Sequence, residues 1–395
     1  MIKYTLKENL KYGGIMTSKE RMLYAIWNKK PDMVPVAPDM SNMIPAKLTG
    51  KPFWDIYFYD NPPLWEAYIE ALSYFKFDGW FIYGGIEMKY EKVIKEESRI
   101  IYRDNGKMEV EYFYYTPEGV LHTIVVYPKD NPPWVKEHMI KNFKEDFKKI
   151  KYFSPSYYTS YKGFDDKKLK EMRDKLGDKG VIGIGIPTPG FHIWQGAFEG
   201  GLLGLTYAYY DYPELFDQWA EIQHKDIINF TEYVIKAKPD FILTGGSGAI
   251  TLSSPSLFKK YSLPTIKVIS EIANKEKIPV MIHCCGKEKD LVDMCYNETL
   301  VNCINPLEEP PMGDCYLSEI KKKYGDKISL MGNINTTFML TAKPEEIEKV
   351  CKKAIDDAGE NGGFILSTGD QLGRDTPEEN IFKMIEVART YGKYL

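Results

Sequence analysis

A histidine and two cysteines stand together at the end of one apolar run, in the stretch PVMIHCCG at 279–286. In extended backbone, residues two apart point to the same side, so His283 and Cys285 can face one ion while Cys284 points into packing. Neutral imidazole and thiolate are both good zinc ligands. Adjacent cysteines also lack the C-x-x-C spacing of dithiol redox sites. The pair therefore favours a metal site, with a structural histidine or thiol chemistry as the alternatives.

Two ligands do not complete a zinc site, because zinc in proteins takes four positions. Carboxylates follow two further apolar runs: Glu308 in NPLEEPP and Asp370 in TGDQ. We predict that these two residues join His283 and Cys285 as metal ligands. The alternative for Glu308 is a solvated acidic turn between prolines, and for Asp370 it is a turn or helix-capping residue.

The elements that would position these side chains are eight short apolar runs separated by amphipathic helical patterns. The runs lie at 33–37, 79–83, 181–186, 240–244, 278–282, 300–304, 328–331 and 363–367. Eight such units predict an α/β fold, a (β/α)8 TIM barrel, whose active site forms at the carboxyl ends of the strands. A doubly wound sheet is the alternative, but no glycine-rich phosphate loop follows an early strand. Two further polar residues at strand ends, Asp39 and Asn333, are predicted to be catalytic.

One stretch departs from the alternation. Residues 93–127 are rich in β-forming residues and carry turn signals at 104–106 and 117–119, which predicts an antiparallel hairpin or meander inserted into the barrel. Thr17 and Glu20 have the spacing of a capping box at the start of a helix. We therefore expect an N-terminal lead-in at 1–16 and a single barrel domain at 17–395.

The amino-acid composition of the chain excludes several kinds of protein. The chain has 395 residues, 44% of them hydrophobic and 27% charged, which is typical of a globular protein with a sizeable core. A net charge of −4 gives no reason to expect a nucleic acid partner, and no apolar run approaches the ~20 residues of a membrane span. The six cysteines all lie in the last third of the chain, which argues against a disulfide framework. A cytoplasmic protein is expected.

Four segments of the C-terminal half together resemble the uroporphyrinogen decarboxylase superfamily, and within it the cobalamin-dependent methyltransferase branch. They are HCCG at 283–286, NCINPLEEPPMGD at 302–314, YGDKISLMGNIN at 324–335 and GGFILSTGDQLGRDTPEEN at 362–380. The resemblance extends from about residue 17 to 393 and is strongest in the last ~120 residues. It implies a (β/α)8 barrel, in agreement with the count of apolar runs.

The resemblance also implies ligands. In the methyltransferase branch, the His-x-Cys motif after a strand binds zinc, which matches His283 and Cys285. A cysteine after the last strand usually completes the set, but Asp370 stands at that position here. The related cobalamin-independent methionine synthase barrel carries a zinc-binding glutamate roughly where Glu308 falls. The decarboxylase holds its tetrapyrrole with an arginine-rich N-terminal motif, whereas 36–50 contains Asp39 but no arginine.

The function that the resemblance implies is zinc-dependent methyl transfer. We expect a small methylated substrate, preferably a methyl ether, as the donor, and the Co(I) corrinoid of a partner protein as the acceptor. Aromatic residues near early strand ends, such as Trp80 and Tyr83, could line a pocket for an aromatic ether, and the alternative for them is core packing. The chain lacks the Asp-x-His-x-x-Gly motif of corrinoid-binding domains, so the corrinoid would come from a partner. The alternatives are methyl transfer from a methylcorrinoid protein to a thiol or pterin, decarboxylation, and a non-catalytic binding protein; a homodimer is also expected.

Overall fold

A computed structural model describes residues 15–394, so the lead-in predicted at 1–16 falls almost wholly outside the described residues. Within them lie thirteen strands: β1 Gly79–Gly84, β2 Glu87–Lys89, β3 Lys95–Arg103, β4 Lys107–Thr116, β5 Gly119–Pro128, β6 Trp134–Glu137, β7 Gly163–Asp165, β8 Gly180–Gly185, β9 Phe241–Gly245, β10 Val280–His283, β11 Cys303–Asn305, β12 Ser329–Ile334 and β13 Phe364–Thr368. The α-helices are Ser18–Ile26, Met43–Leu48, Phe53–Tyr57, Leu64–Phe75, Phe143–Ile150, Lys167–Leu176, Phe191–Trp194, Gly201–Asp211, Pro213–Ala237, Pro255–Tyr261, Leu263–Lys275, Lys289–Glu298, Leu317–Tyr324, Thr336–Thr341, Pro344–Ala358 and Glu378–Thr390.

Seven strands form one parallel sheet in the order β1-β8-β9-β10-β11-β12-β13, with helices between them along the chain. This curled sheet confirms the predicted TIM-barrel-like α/β fold. The eighth predicted strand, at 33–37, is an extended segment instead of a strand. Val36 bridges Leu366 of β13, and the Val36 carbonyl accepts a hydrogen bond from the Asp78 N–H before β1. Pro35 and Pro38 flank this contact, and without their N–H groups a ladder cannot continue.

The interior of the barrel is packed and closed at one end. Met281, Phe241 and Met331 share a buried cluster with the helix Ser18–Ile26, which covers the amino ends of the strands. Gly183 faces this interior, and a side chain there would overlap the ring of Phe241, which lies 2.3 Å from where its Cβ would be. The carboxyl ends of the strands are therefore the end at which a site can open to solvent.

The predicted antiparallel insertion is present and longer than expected. Strands β3, β4, β5 and β6 form a four-stranded antiparallel sheet from Lys95 to Glu137, beyond the predicted end at 127. Met108 and Val110 of β4 pack with Trp54, which ties this sheet to the helix Phe53–Tyr57. Among the described helices, none combines the length and apolarity that crossing a bilayer requires.

A buried ion-pair network joins the first helix, the extended segment and the last helix. Asp78 is fully buried, and its two carboxylate oxygens accept hydrogen bonds from Arg21, from the Val36 N–H and from Arg389. Removing one partner of such a network leaves a buried charge uncompensated, which typically costs about 3–5 kcal/mol. Asp78 thus holds the first and last parts of the barrel together.

We therefore expect Asp78→Ala to lower the free energy of unfolding by about 3–5 kcal/mol. The measurement is urea unfolding followed by tryptophan fluorescence and circular dichroism. Glu97→Ala is the matched control, because Glu97 pairs with Lys95 on an exposed strand and such pairs contribute about 0–1 kcal/mol. If the two variants change stability equally, the network does not stabilise the barrel as argued.

Candidate metal centre

The candidate ligands of β10 follow from the alternation of its side chains. Ile282 and Cys284 pack outward into the core between sheet and helices, whereas Met281 packs inside the barrel. His283 and Cys285 therefore point to the inside, and the His283 Nε2 atom lies 3.1 Å from the Cys285 Sγ atom. Cys284 is fully buried, as the spacing predicts.

Asp370, after β13, completes a group of three. Ligand atoms of His283, Cys285 and Asp370 all lie within 4.8 Å of one another. The Gln371 N–H binds one carboxylate oxygen of Asp370 at 2.7 Å, and the Cys285 thiol donates to the other at 3.2 Å. Backbone contacts thus orient the carboxylate toward the sulfur.

The donor set fits zinc. One imidazole nitrogen, one sulfur and one carboxylate oxygen meet in a half-buried place, and all three atom types are common zinc ligands. Burial and the nearby Asp370 carboxylate raise the pKa of the Cys285 thiol, so a cation between them would favour the thiolate that metals bind. Among residues 15–394, no other group of histidine, cysteine and acidic side chains meets the same spacing.

A neighbouring strand orients the imidazole. Asn305 of β11 lies opposite His283 in the parallel register, and its Oδ1 atom lies 2.6 Å from the His283 Nδ1 atom. This contact fixes the tautomer with the proton on Nδ1 and directs Nε2 to the group. Hydrogen-bond partners of this kind raise metal affinity by orienting the ligand.

Accordingly, Asn305→Leu should weaken zinc binding by about 10–100-fold, the range typical of lost outer partners. Competition with a chromophoric chelator measures the affinity without any activity assay. Asn305→Asp keeps an acceptor oxygen and should retain most of the affinity. Equal zinc affinity in Asn305→Leu and the unaltered protein would contradict the orienting role.

Glu308, the fourth predicted ligand, lies outside the group of three. Its Oε2 atom accepts a hydrogen bond from the Gly286 N–H at 2.7 Å, and burial raises the pKa of this carboxyl group. The N–H of the preceding residue, Leu307, donates a hydrogen bond to the carboxyl group of the buried Glu288. Burial raises the pKa of Glu288 as well. Glu308 as a ligand therefore stays a prediction, and in this conformation it supports the loop that follows Cys285.

The two predicted catalytic residues lie in different places. Asp39 is buried beside the metal group, its N–H bound to the Thr368 hydroxyl, and burial raises the pKa of its carboxyl group. Asn333 lines a second cavity, and its amide donates to the Leu307 carbonyl at 2.8 Å. Asp39 can therefore reach a substrate at the metal group, while Asn333 holds the loop of Glu308.

The metal group opens into a cavity of about 520 Å³ at the barrel mouth. His283, Asp370 and Asp39 line it with the apolar side chains of Trp80 and Leu243. Among the described residues, neither arginine nor lysine contributes to this lining. Tyr83 lies outside this cavity and packs against Tyr68 and Phe81. The cavity therefore suits a small molecule that carries no anionic group.

Sequence reasoning missed Ser247, whose hydroxyl oxygen lies 3.3 Å from the His283 Nε2 atom. It follows β9 in the glycine-rich stretch GGSG, at the same sheet edge as His283. Asn305 was also missed, although it ends the apolar run that pairs with the run of His283. The sequence does contain a signal for both residues. Each is a polar residue at or just after the end of a strand that pairs with β10, the strand of His283.

The fold and the site define this protein as a TIM-barrel-like α/β protein with a candidate metal centre at the barrel mouth. Comparison with known proteins identifies its family. The profile described as uroporphyrinogen decarboxylase (URO-D) matches residues 122–391, more than half of the chain. The chain belongs to the uroporphyrinogen decarboxylase family, as its motifs predict.

Relatives within the family include two kinds of enzyme. The methylcobamide:CoM methyltransferase MtaA of Methanosarcina barkeri is 27% identical over 184 residues, 45% of this chain and 50% of that protein. The chloroplastic uroporphyrinogen decarboxylase 2 of Oryza sativa subsp. japonica is 22% identical over 246 residues, 61% of this chain and 60% of that protein. The chain thus spans about half to three fifths of the length of these relatives.

A solved structure supports the fold over most of the chain. A methyltransferase from Methanosarcina mazei covers 95% of this chain and 99% of its own, with a TM-score of 0.62 and 17% sequence identity. At this identity the likeness establishes a shared barrel architecture. Activity must be argued from the site.

Proposed function

We propose that this protein is a zinc-dependent methyltransferase that moves a methyl group from a small methyl ether to the Co(I) corrinoid of a partner protein. The observation that carries the proposal is the His283, Cys285 and Asp370 group, which opens to a cavity at the barrel mouth that has neither arginine nor lysine among its described lining residues. Family membership and the similarity to a corrinoid-dependent methyltransferase support the same reaction class.

Three residues would hold zinc through nitrogen, sulfur and oxygen, leaving one position for the substrate. When bound, zinc supplies a Lewis acid that polarises the ether oxygen or, in the opposite direction, favours a thiolate. The protein itself would orient the substrate between the apolar walls that Trp80 and Leu243 form. The same walls would exclude water from the bound substrate. Trp80 also makes an aromatic ether a suitable donor.

The transfer is balanced without an external oxidant or reductant. A Co(I) corrinoid on the partner would supply the electron pair of the new cobalt–carbon bond, and the electrons of the broken carbon–oxygen bond would stay on the oxygen of the substrate. That oxygen must then gain a proton. Asp39 lines the same cavity, and its carboxyl group would give this proton.

Two observations bear on the direction of transfer. Asp370 supplies a carboxylate at a position where the resemblance implies a cysteine in the methyltransferase branch, and a harder ligand set favours an oxygen-bearing substrate. The relative MtaA is named for methyl transfer to coenzyme M, a thiol, and this favours a second candidate, transfer from a methylcorrinoid protein to a thiol. Decarboxylation of a tetrapyrrole is disfavoured because, among the described residues, neither arginine nor lysine lines the cavity to pair with propionate groups.

The first test is metal content. Protein purified without added metal should contain about one zinc per chain by elemental analysis, and His283→Ala should lose it. Equal zinc content in both would remove the metal mechanism.

The second test is a substrate screen. Purified protein, a reduced corrinoid protein and single candidate donors are mixed, and loss of the Co(I) absorbance reports methyl transfer. Methyl ethers should react and simple alcohols should not. Removal of the methyl group from a methylcorrinoid protein by thiols, with no reaction of any ether, would establish the second candidate instead.

A further inference from the structure

Ser247 is an exposed polar residue of the cavity at the barrel mouth, and the reaction above gives it no role. It follows β9 in the stretch GGSG at 245–248. Gly245 and Gly246 before it have φ angles of 82° and 151°. Side chains with a Cβ atom rarely adopt such angles, so the two glycines allow the chain to turn sharply at the end of the strand.

The loop of Ser247 lies directly against the backbone of His283. The Gly246 N–H donates a hydrogen bond to the His283 carbonyl at 2.8 Å. A Cβ atom on Gly245 would lie 2.6 Å from the same carbonyl oxygen, and one on Gly246 would lie 2.9 Å from the ring of the buried His192. These close contacts on both sides of the loop fix the position of Ser247 relative to the imidazole.

The Ser247 hydroxyl faces the lone pair through which His283 would bind a metal. Its Oγ atom lies 3.3 Å from the His283 Nε2 atom. The ring proton is on Nδ1, because the Asn305 Oδ1 atom beside it can only accept a hydrogen bond. Nε2 is therefore an acceptor. Ser247 is its donor, since the thiol proton of Cys285 is donated to Asp370.

A metal and a hydroxyl group cannot both bind this lone pair. When a metal binds Nε2, the Ser247 hydroxyl must turn to another acceptor, and a serine hydroxyl rotates readily. Because Ser247 lines the cavity, the new acceptor lies there. We propose that Ser247 is a substrate-contacting residue, whose hydroxyl donates a hydrogen bond to the ether oxygen from which the methyl group departs. This inference rests on the proposed function and adds a residue to that reaction.

The expected benefit of this hydrogen bond is greatest when the carbon–oxygen bond breaks. Negative charge then develops on the oxygen, and a donor already in place stabilises it. Hydrogen bonds to charged oxygen are stronger than those to neutral oxygen, so the transition state gains more than the bound ether does. Ser247 keeps its own proton throughout, because the proton that the oxygen finally gains would come from Asp39.

Two other roles for Ser247 make different predictions. Serine is not among the usual zinc ligands, but as a ligand its removal would weaken zinc binding. As a purely structural residue, its removal would lower stability and leave the rate of the folded protein unchanged. The cavity also contains the hydroxyl of Ser41, but this group donates to the Gln371 side chain and so already has an acceptor within the protein.

The experiment compares Ser247→Ala and Ser247→Thr with the unaltered full-length protein, all loaded with zinc. The probes are methoxybenzene and 2-methoxyethanol, and loss of the Co(I) absorbance of a reduced corrinoid protein gives the single-turnover rate. Ser247→Ala should lower the maximal rate by about 10-fold or more, since a lost donor to a developing oxyanion costs up to about 10²–10³-fold. The half-saturating ether concentration should change by less than about 2-fold, as for an interaction made in the transition state.

Ser247→Thr keeps the hydroxyl group and should restore most of the rate. Ser256→Ala is the matched control, because Ser256 is exposed on the helix Pro255–Tyr261 and does not line the cavity. Equal maximal rates in Ser247→Ala and the unaltered protein would overturn the proposal, as would a rate in Ser247→Thr as low as that in Ser247→Ala.

Zinc affinity gives a readout that needs no activity. In competition with a chromophoric chelator, Ser247→Ala should bind zinc at least as tightly as the unaltered protein, because the hydroxyl competes with the metal for the His283 lone pair. Weaker zinc binding in Ser247→Ala would make Ser247 a metal ligand and overturn its role toward the substrate.

Failure of the proposed function is distinguishable from failure of this role. If the unaltered protein transfers no methyl group from either ether, the function is wrong and the role of Ser247 toward an ether oxygen is overturned with it. If the unaltered protein reacts and Ser247→Ala reacts equally fast, the function stands and only the role of Ser247 is wrong.

Discussion

Cys285→Ala is expected to weaken zinc binding by more than about 100-fold and to lower methyl transfer by at least the same factor. A lost ligand should exceed the roughly 10–100-fold cost of a lost outer partner. A 100-fold loss of rate corresponds to about 2.7 kcal/mol of transition-state stabilisation. Sulfur is also the only soft atom of the group, and its removal leaves the imidazole and one carboxylate.

The adjacent cysteine provides the matched control for this prediction. Cys284 is fully buried outside the barrel interior, so Cys284→Ala should cost about 1 kcal/mol of stability and leave the zinc content unchanged. Zinc content is measured by elemental analysis and stability by urea unfolding. If Cys284→Ala loses zinc and Cys285→Ala retains it, the alternation argument for this strand end is wrong.

Most of the barrel could be predicted from the sequence because each buried strand is a short apolar run, and such runs stand out between amphipathic helices. The segment at 33–37 shows the limit of this reasoning. Its apolar residues predict a strand, but with prolines at 35 and 38 it forms only isolated bridges, from Met33 to Lys393 and from Val36 to Leu366. Apolar periodicity reports burial, whereas a ladder also needs N–H groups.

The metal group shows a second limit. The i, i+2 spacing is local, so the sequence alone places His283 and Cys285 on one side. Asp370 and Glu308 are distant in sequence from this pair, and their predicted roles rested on strand order. The structure brings Asp370 to the sulfur but turns Glu308 toward the Gly286 N–H, a backbone contact that residue types alone cannot reveal.

Asn305 and Ser247 escaped prediction for a related reason. Each is an ordinary polar residue until the register of β9, β10 and β11 places it beside His283. Register depends on packing of the whole sheet and is not encoded in any one segment. Residues that orient a ligand are therefore harder to read from a sequence than the ligand itself.

Asp370→Ala is the second variant with a large expected effect. It removes the oxygen ligand, so zinc affinity should fall by more than about 100-fold, beyond the roughly 10–100-fold range of outer-partner losses. Asp375→Ala is the matched control, because Asp375 lies five residues on, is exposed and pairs with Arg374. Equal zinc affinity in Asp370→Ala and Asp375→Ala would exclude the carboxylate as a ligand.

The variant Asp370→Cys tests which substrate the metal centre prefers, in addition to whether it binds zinc. The resemblance implies a cysteine at this position in the methyltransferase branch, and the variant supplies that sulfur, so zinc should stay bound. Cobalt(II) in place of zinc should then show stronger sulfur-to-metal charge-transfer absorption than in the unaltered protein. A softer ligand set should favour a thiol over an ether, since ligand softness matches substrate softness. The rate of ether demethylation should therefore fall by about 10-fold or more, while the rate of thiol methylation rises. If the ratio of the two rates is unchanged although zinc is bound, Asp370 does not set the direction of transfer.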